Sequence, residues 1–151
     1  MKVTLLLADS AQAVGGKLYI LGGGWSVTGP DPASFALAVK IEVPWDQAGL
    51  SHTFRLSLYD SDGQMVVAET PDGRQAIEID AGFEVERAPG LRPGSPIDVP
   101  LAFTFAPIPL AAGERFVWRL EIDGRSHEDW RVAFSTRPRR DPSSDDESTI
   151  S

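Results

Sequence analysis

His52 and His127 are the two histidines of the chain. Imidazole is the commonest general base near neutral pH and a frequent metal ligand. A metal site typically draws on three or four ligands, and nothing in the spacing around either histidine marks such a set. Ser-His catalysis would need a serine on a strained turn, and Gly-x-Ser-x-Gly does not occur. The nearest serine candidates, Ser10 and Ser26, sit in strand-like contexts. Both histidines therefore read as solvated polar residues. The chain has no cysteine, so thiolate chemistry and disulfides are excluded. The expectation for catalytic residues and for cofactors is none, and the chain is not expected to be an enzyme.

Asp60-Ser61-Asp62-Gly63 resembles the start of a calcium loop. An EF-hand would need a further oxygen ligand before the glycine and a glutamate at position twelve. Position twelve counted from Asp60 is Pro71. The simpler reading is a hairpin turn whose carboxylates bond nearby backbone N–H groups. Asp60 and Asp62 stay as the metal candidates, with Asp9, Asp31 and Asp129 as further carboxylates for loops to recruit.

Gly22-Gly23-Gly24-Trp25 has the glycine content of a phosphate loop but lacks its Gly-Lys-Ser/Thr ending, and no helix follows. It reads as a strand that bends or bulges, with glycines permitting close backbone approach. Four tryptophans are many for this length. Trp118 and Trp130 fit inward positions. Trp25 and Trp45 are the candidates for contact with a ligand or partner. Trp45 follows Pro44 at a strand end, where a half-exposed indole can stack on a sugar or anchor a protein.

The elements that must position these residues are strands. Phe35, Leu37, Val39, Ile41 and Val43 alternate with small or charged residues. The same period of two marks Phe54–Tyr59, Ile77–Val85, Ile97–Phe105, Phe116–Asp123 and Trp130–Phe134. Val3–Ala8 and Lys17–Leu21 bring the expectation to eight strands, with Met65–Ala68 as a short ninth at an edge. Gly15-Gly16, Asp62-Gly63, Asp72-Gly73 and Asp123-Gly124 supply the positive-φ positions of tight turns. No amphipathic helix is expected; Asp46–Leu50 has room for one turn. Half-buried strands need a second sheet about 10 Å away to cover their apolar faces. The expected fold is an all-β antiparallel sandwich of about eight strands, immunoglobulin-like or C2-like, with a small β-barrel as the alternative.

At 151 residues the chain is of single-domain size. Residues 1–136 form the expected sandwich, and residues 137–151 an acidic, Ser-rich tail read as disordered. The net charge is −8. The tail holds three arginines and four acids, which leaves −7 for the body. That charge repels phosphate backbones and anionic lipid, so neither nucleic acid nor membrane is an expected partner. The apolar start, Met1 to Ala8, meets Asp9 too soon for a signal peptide, so a cytoplasmic location is expected. Eleven arginines against three lysines suggest a GC-rich bacterial genome.

Four segments together resemble a family of small bacterial proteins known only as a domain of unknown function. They are Leu7-Ala8-Asp9, Gly16-Lys17-Leu18-Tyr19-Ile20-Leu21-Gly22, Leu58-Tyr59-Asp60-Ser61-Asp62-Gly63 and the run from Gly113 to Gly124. The resemblance implies a β-sandwich without assigned activity and carries no site residues over. The chain departs from that pattern in its Gly22–Gly24 triplet and its tail. The functional expectation is a non-enzymatic interaction or binding module with a protein partner or a second copy. The flat Ala36/Ala38 face is a candidate for self-association. The alternative is carbohydrate binding through Trp45, or calcium binding through Asp60 and Asp62, at one end of the sandwich.

Overall fold

The alternating segments pair into two facing sheets. The computed structural model describes residues 1–140. Among the described residues eleven strands appear: β1 (Lys2–Val14), β2 (Lys17–Gly23), β3 (Val27–Thr28), β4 (Phe35–Val43), β5 (Ser51–Asp60), β6 (Val67–Thr70), β7 (Gly73–Ala76), β8 (Glu78–Glu84), β9 (Ile97–Phe105), β10 (Arg115–Ile122) and β11 (Arg125–Thr136). One sheet has the order β2-β1-β4-β9, the other β3-β11-β10-β5-β8, and β6-β7 form a separate hairpin. All pairs are antiparallel except the two-residue β3 beside β11. The expected β-sandwich is the fold.

The period of two does what it implies. Leu7, Leu37, Val39 and Ile41 from the first sheet are buried with Leu56, Leu58, Trp118 and Leu120 from the second. Burying each such side chain contributes about 1.5–3 kcal/mol. Phe105 stacks on Trp118 with centroids 4.7 Å apart, locking sheet to sheet. Hairpins close at Gly15-Gly16 and Asp123-Gly124, where all four residues have positive φ. Two strands had no clear sequence signal. β3 is too short to show a period, and β7 (Gly-Arg-Gln-Ala) has no apolar alternation.

β1 is longer than its apolar run. Only Lys2–Ala8 pairs with β4; the rest pairs with β2 alone. This free arm curls back over the outer face of its own sheet and brings β1 and β2 up to β9. There Ala11 lies over Ala36 and Ala38, with Leu18 and Ala102 around them. Ala36 and Ala38 are 0% and 2% exposed. The small-residue face is thus covered by this chain's own hairpin. Only small side chains allow two layers of backbone to approach so closely.

Residues 137–140 run on from β11 along the body. The N–H of Arg137 donates to the Thr28 carbonyl at 2.8 Å, and Arg139 pairs with Asp31 at 2.7 Å. The rest of the tail expected to be disordered lies outside the described residues. Among the described residues no helix is long and apolar enough to cross a membrane.

Candidate functional site

The singled-out residues fall at the two opposite ends of the sandwich. Asp60 lies across from Phe116, and Phe116 from Phe134, at the end where Trp25 packs. Trp45 follows the other end of β4. Asp60 and Asp62 therefore do not share a site with Trp45.

At the first end, Asp60 Oδ1 accepts hydrogen bonds from the N–H groups of Asp62 (3.0 Å) and Gln64 (2.9 Å). This is the turn geometry expected of the residue type. Among the described residues no three His, Cys, Asp or Glu side chains converge to hold a metal ion. Trp25 packs its ring edge-on against Phe35 and Phe134, with centroids 5.9 and 6.1 Å away. It bridges the two sheets at the rim of the core. Gly22 and Gly24 have φ of 61° and 90°, and the Gly24 N–H donates to Leu7 O at 2.7 Å. The triplet thus bends the chain out of β2 toward Trp25. A Cβ on Gly22 would collide with the Asp9 carboxylate, so the missing side chain is what lets Asp9 lie there.

At the other end, a 3-10 turn (Trp45–Gln47) follows β4. It is the single turn foreseen near Asp46. The Arg87 guanidinium lies 4.5 Å over the Trp45 ring and donates to the Trp45 carbonyl at 2.6 Å. One face of the indole is thus taken by a cation. Trp45 also lines a cleft of about 650 Å³ with Lys2, Glu42, Pro44, Asp46 and Pro96.

His52 departs from the solvated residue expected. It is 5% exposed. Nδ1 lies 2.7 Å from Asp123 Oδ2, and Nε2 lies 3.0 Å from the Gln47 carbonyl. The ring stacks on Phe83. Burial pulls its pKa down, while the bonds to Asp123 and Gln47 push it up, and the balance lies above 6.5. The Asp123 carboxyl is held below its ordinary value by His52 and by the Thr53 N–H. Both ring nitrogens are engaged by these contacts. His127 is half-exposed; its Nδ1 accepts from the Asp129 N–H at 3.0 Å, and its ring lies beside Trp130.

A family model described as a family of unknown function, DUF6941, matches residues 3–134. The chain belongs to this family. No curated protein and no solved structure matches it. Function in this DUF6941 chain must therefore be argued from its own surface.

Sequence reasoning expected the strand at Lys17–Leu21 but missed that β2 is an exposed sheet edge. Tyr19 and Leu21 are 57% and 72% exposed, and Ile20 also reaches solvent. Their alternation resembles that of any half-buried strand, but β2 stands at the end of its sheet. The other edges of the two large sheets are blunted. β9 carries Asp98 and Pro100, β8 carries Glu78, Asp80 and Glu84, and β3 has two residues. β2 has one charge, Lys17, and, among the described residues, an unpaired row of backbone groups beside Tyr19 and Leu21.

Proposed function

We propose that this DUF6941 protein is a non-enzymatic interaction module that takes up an extended strand of another protein along β2. The observation that carries the reading is the contrast among edges: among the described residues, β2 alone of the edges of the two large sheets joins free backbone groups to exposed Tyr19 and Leu21. Strand addition supplies main-chain hydrogen bonds for affinity and alternate side chains for specificity. The occupant is a different protein rather than a second copy, for two reasons. Identical chains of net charge −8 repel each other. The Ala36/Ala38 face, the surface expected to serve self-association, is already covered. The same charge disfavours nucleic acid and anionic membranes as partners. We place the protein in a bacterium, on its eleven arginines against three lysines.

Photo-crosslinking tests this. A benzophenone amino acid at Tyr19 is expected to give one dominant adduct in cells, mapping to an extended segment of another protein. The same probe at Arg131, on the outer face of the second sheet, is the control. Equal yields at the two positions would refute the reading, and a self-adduct at Tyr19 would mean a homodimer instead.

A second reading has its own observation. Trp45 offers an indole beside Glu42, Asp46 and Lys2 in a cleft of about 650 Å³, which is the mixture of platform and polar groups a saccharide requires. Calorimetry against a glycan panel tests it, and heat that persists in Trp45→Ala would sink it.

A further inference from the structure

The His52 ring lies between two oxygens that can only accept. The Gln47 carbonyl faces Nε2, and the Asp123 carboxylate faces Nδ1. Both contacts are hydrogen bonds only if both nitrogens carry protons, which makes the ring an imidazolium. A neutral ring would set a nitrogen lone pair against one oxygen. The two oxygens belong to different elements. Gln47 closes the turn that carries Trp45, and Asp123 sits in the β10–β11 hairpin.

We propose that His52 is a proton-operated pin: protonated, it holds the Trp45–Gln47 turn against the β10–β11 hairpin, and deprotonated, it releases the turn together with the Trp45 side of the cleft. The Nε2 proton is the one given up. The Nδ1 bond is charge-assisted, and Asp123 is itself fixed by the Thr53 N–H at 2.9 Å. Asp123 also has positive φ, 53°, and its N–H donates to Thr53 O at 2.8 Å, so the hairpin does not yield. The turn is the softer side. Without His52 it keeps Arg87 on the Trp45 carbonyl and the Gly49 N–H on Val85 O. With Arg87 held on the Trp45 carbonyl, His52 makes the second side-chain hold on the turn. The other groups bearing on the ring are Phe83, which is uncharged, and Arg125, which acts through Asp123.

The test is an NMR titration of the intact, isotope-labelled chain from pH 5 to pH 9. The His52 ring nitrogens are expected to titrate above the ordinary histidine value of 6.5. The amides of Gln47 to Leu50 are expected to move with the His52 midpoint. Hydrogen-exchange protection at Ala48 and Gly49, corrected for intrinsic rates, should fall about five-fold across it, the scale of one lost hydrogen bond. Asp123→Asn keeps a residue that tolerates positive φ. It should lower the His52 midpoint and the loosening of the turn by the same amount, whereas His127→Ala should change neither. A His52 midpoint at or below the ordinary histidine value of 6.5 would overturn the proposal. So would a His52 titration that leaves the 47–50 amides and their protection unchanged.

Discussion

Gly22 shows how much one missing side chain can decide. Its φ of 61° disfavours L-residues, and the space where a Cβ would stand is taken by Asp9. Gly22→Ala should destabilise the domain by about 1–3 kcal/mol in urea unfolding. Adding Asp9→Ala should recover the part due to collision and leave the backbone part; full recovery would show that φ carries no strain. The His52–Asp123 pair gives a second prediction at this scale. His52 binds its proton more tightly folded than unfolded, so its contribution is complete below pH 6.5 and fades as pH rises through the folded pKa. Asp123 has its pKa lowered by folding, so its contribution is complete above pH 3.8 and fades as pH falls through the folded value. The thermal midpoint of wild type should exceed that of Asp123→Asn most between these pH values, with the gap narrowing on both sides. A gap constant from pH 3 to pH 9 would contradict the pairing.

At the scale of elements, the arm made of β1 and β2 behaves as two surfaces. Its inner side rests on Ala36 and Ala38, which are closed to solvent. Ala38→Leu should cost about 1–3 kcal/mol by overpacking and should lower amide protection in residues 11–20 before the rest of the sheet. The outer side makes no such demand. Leu21→Glu, at a site 72% exposed, should change stability by less than about 0.5 kcal/mol while abolishing the crosslink at Tyr19. Loss of folding in that variant would show that β2 is structural rather than receptive. The arm also answers why Ala36 and Ala38 looked like a docking face. An alanine face suits close contact with another sheet, and whether that sheet comes from the same chain is not written in the alternation.

For the whole molecule, stability rests on the two inner faces. Leu120 is 1% exposed between the sheets. Leu120→Asp should cost at least about 4 kcal/mol, because an unpaired carboxylate would be buried there. Circular dichroism and calorimetry of that variant should show an unfolded chain at room temperature; a wild-type melting curve would mean the strand faces the other way. The sandwich was legible because alternation is a local record of burial: Phe116, Trp118, Leu120 and Ile122 point inward in the structure as their spacing requires. The candidate sites were less legible. Trp45 and Asp60 each kept the local geometry expected of a strand end and a turn, but their placement at opposite ends depends on sheet order. His52 lies 71 residues from Asp123, and no local pattern encodes that distance.

Taken alone, the order of residues determined that this chain is all β, where most strands run, where its hairpins turn, and that its body is acidic. Those properties follow from neighbours along the chain: the period of two, glycine at positive φ, and the sum of charges. Tertiary structure decided which faces and edges stay open. It laid the arm over its own alanines, left the outer edge of β2 open among the described residues, and buried a histidine between two acceptors, because exposure depends on what else the chain brings to the same place.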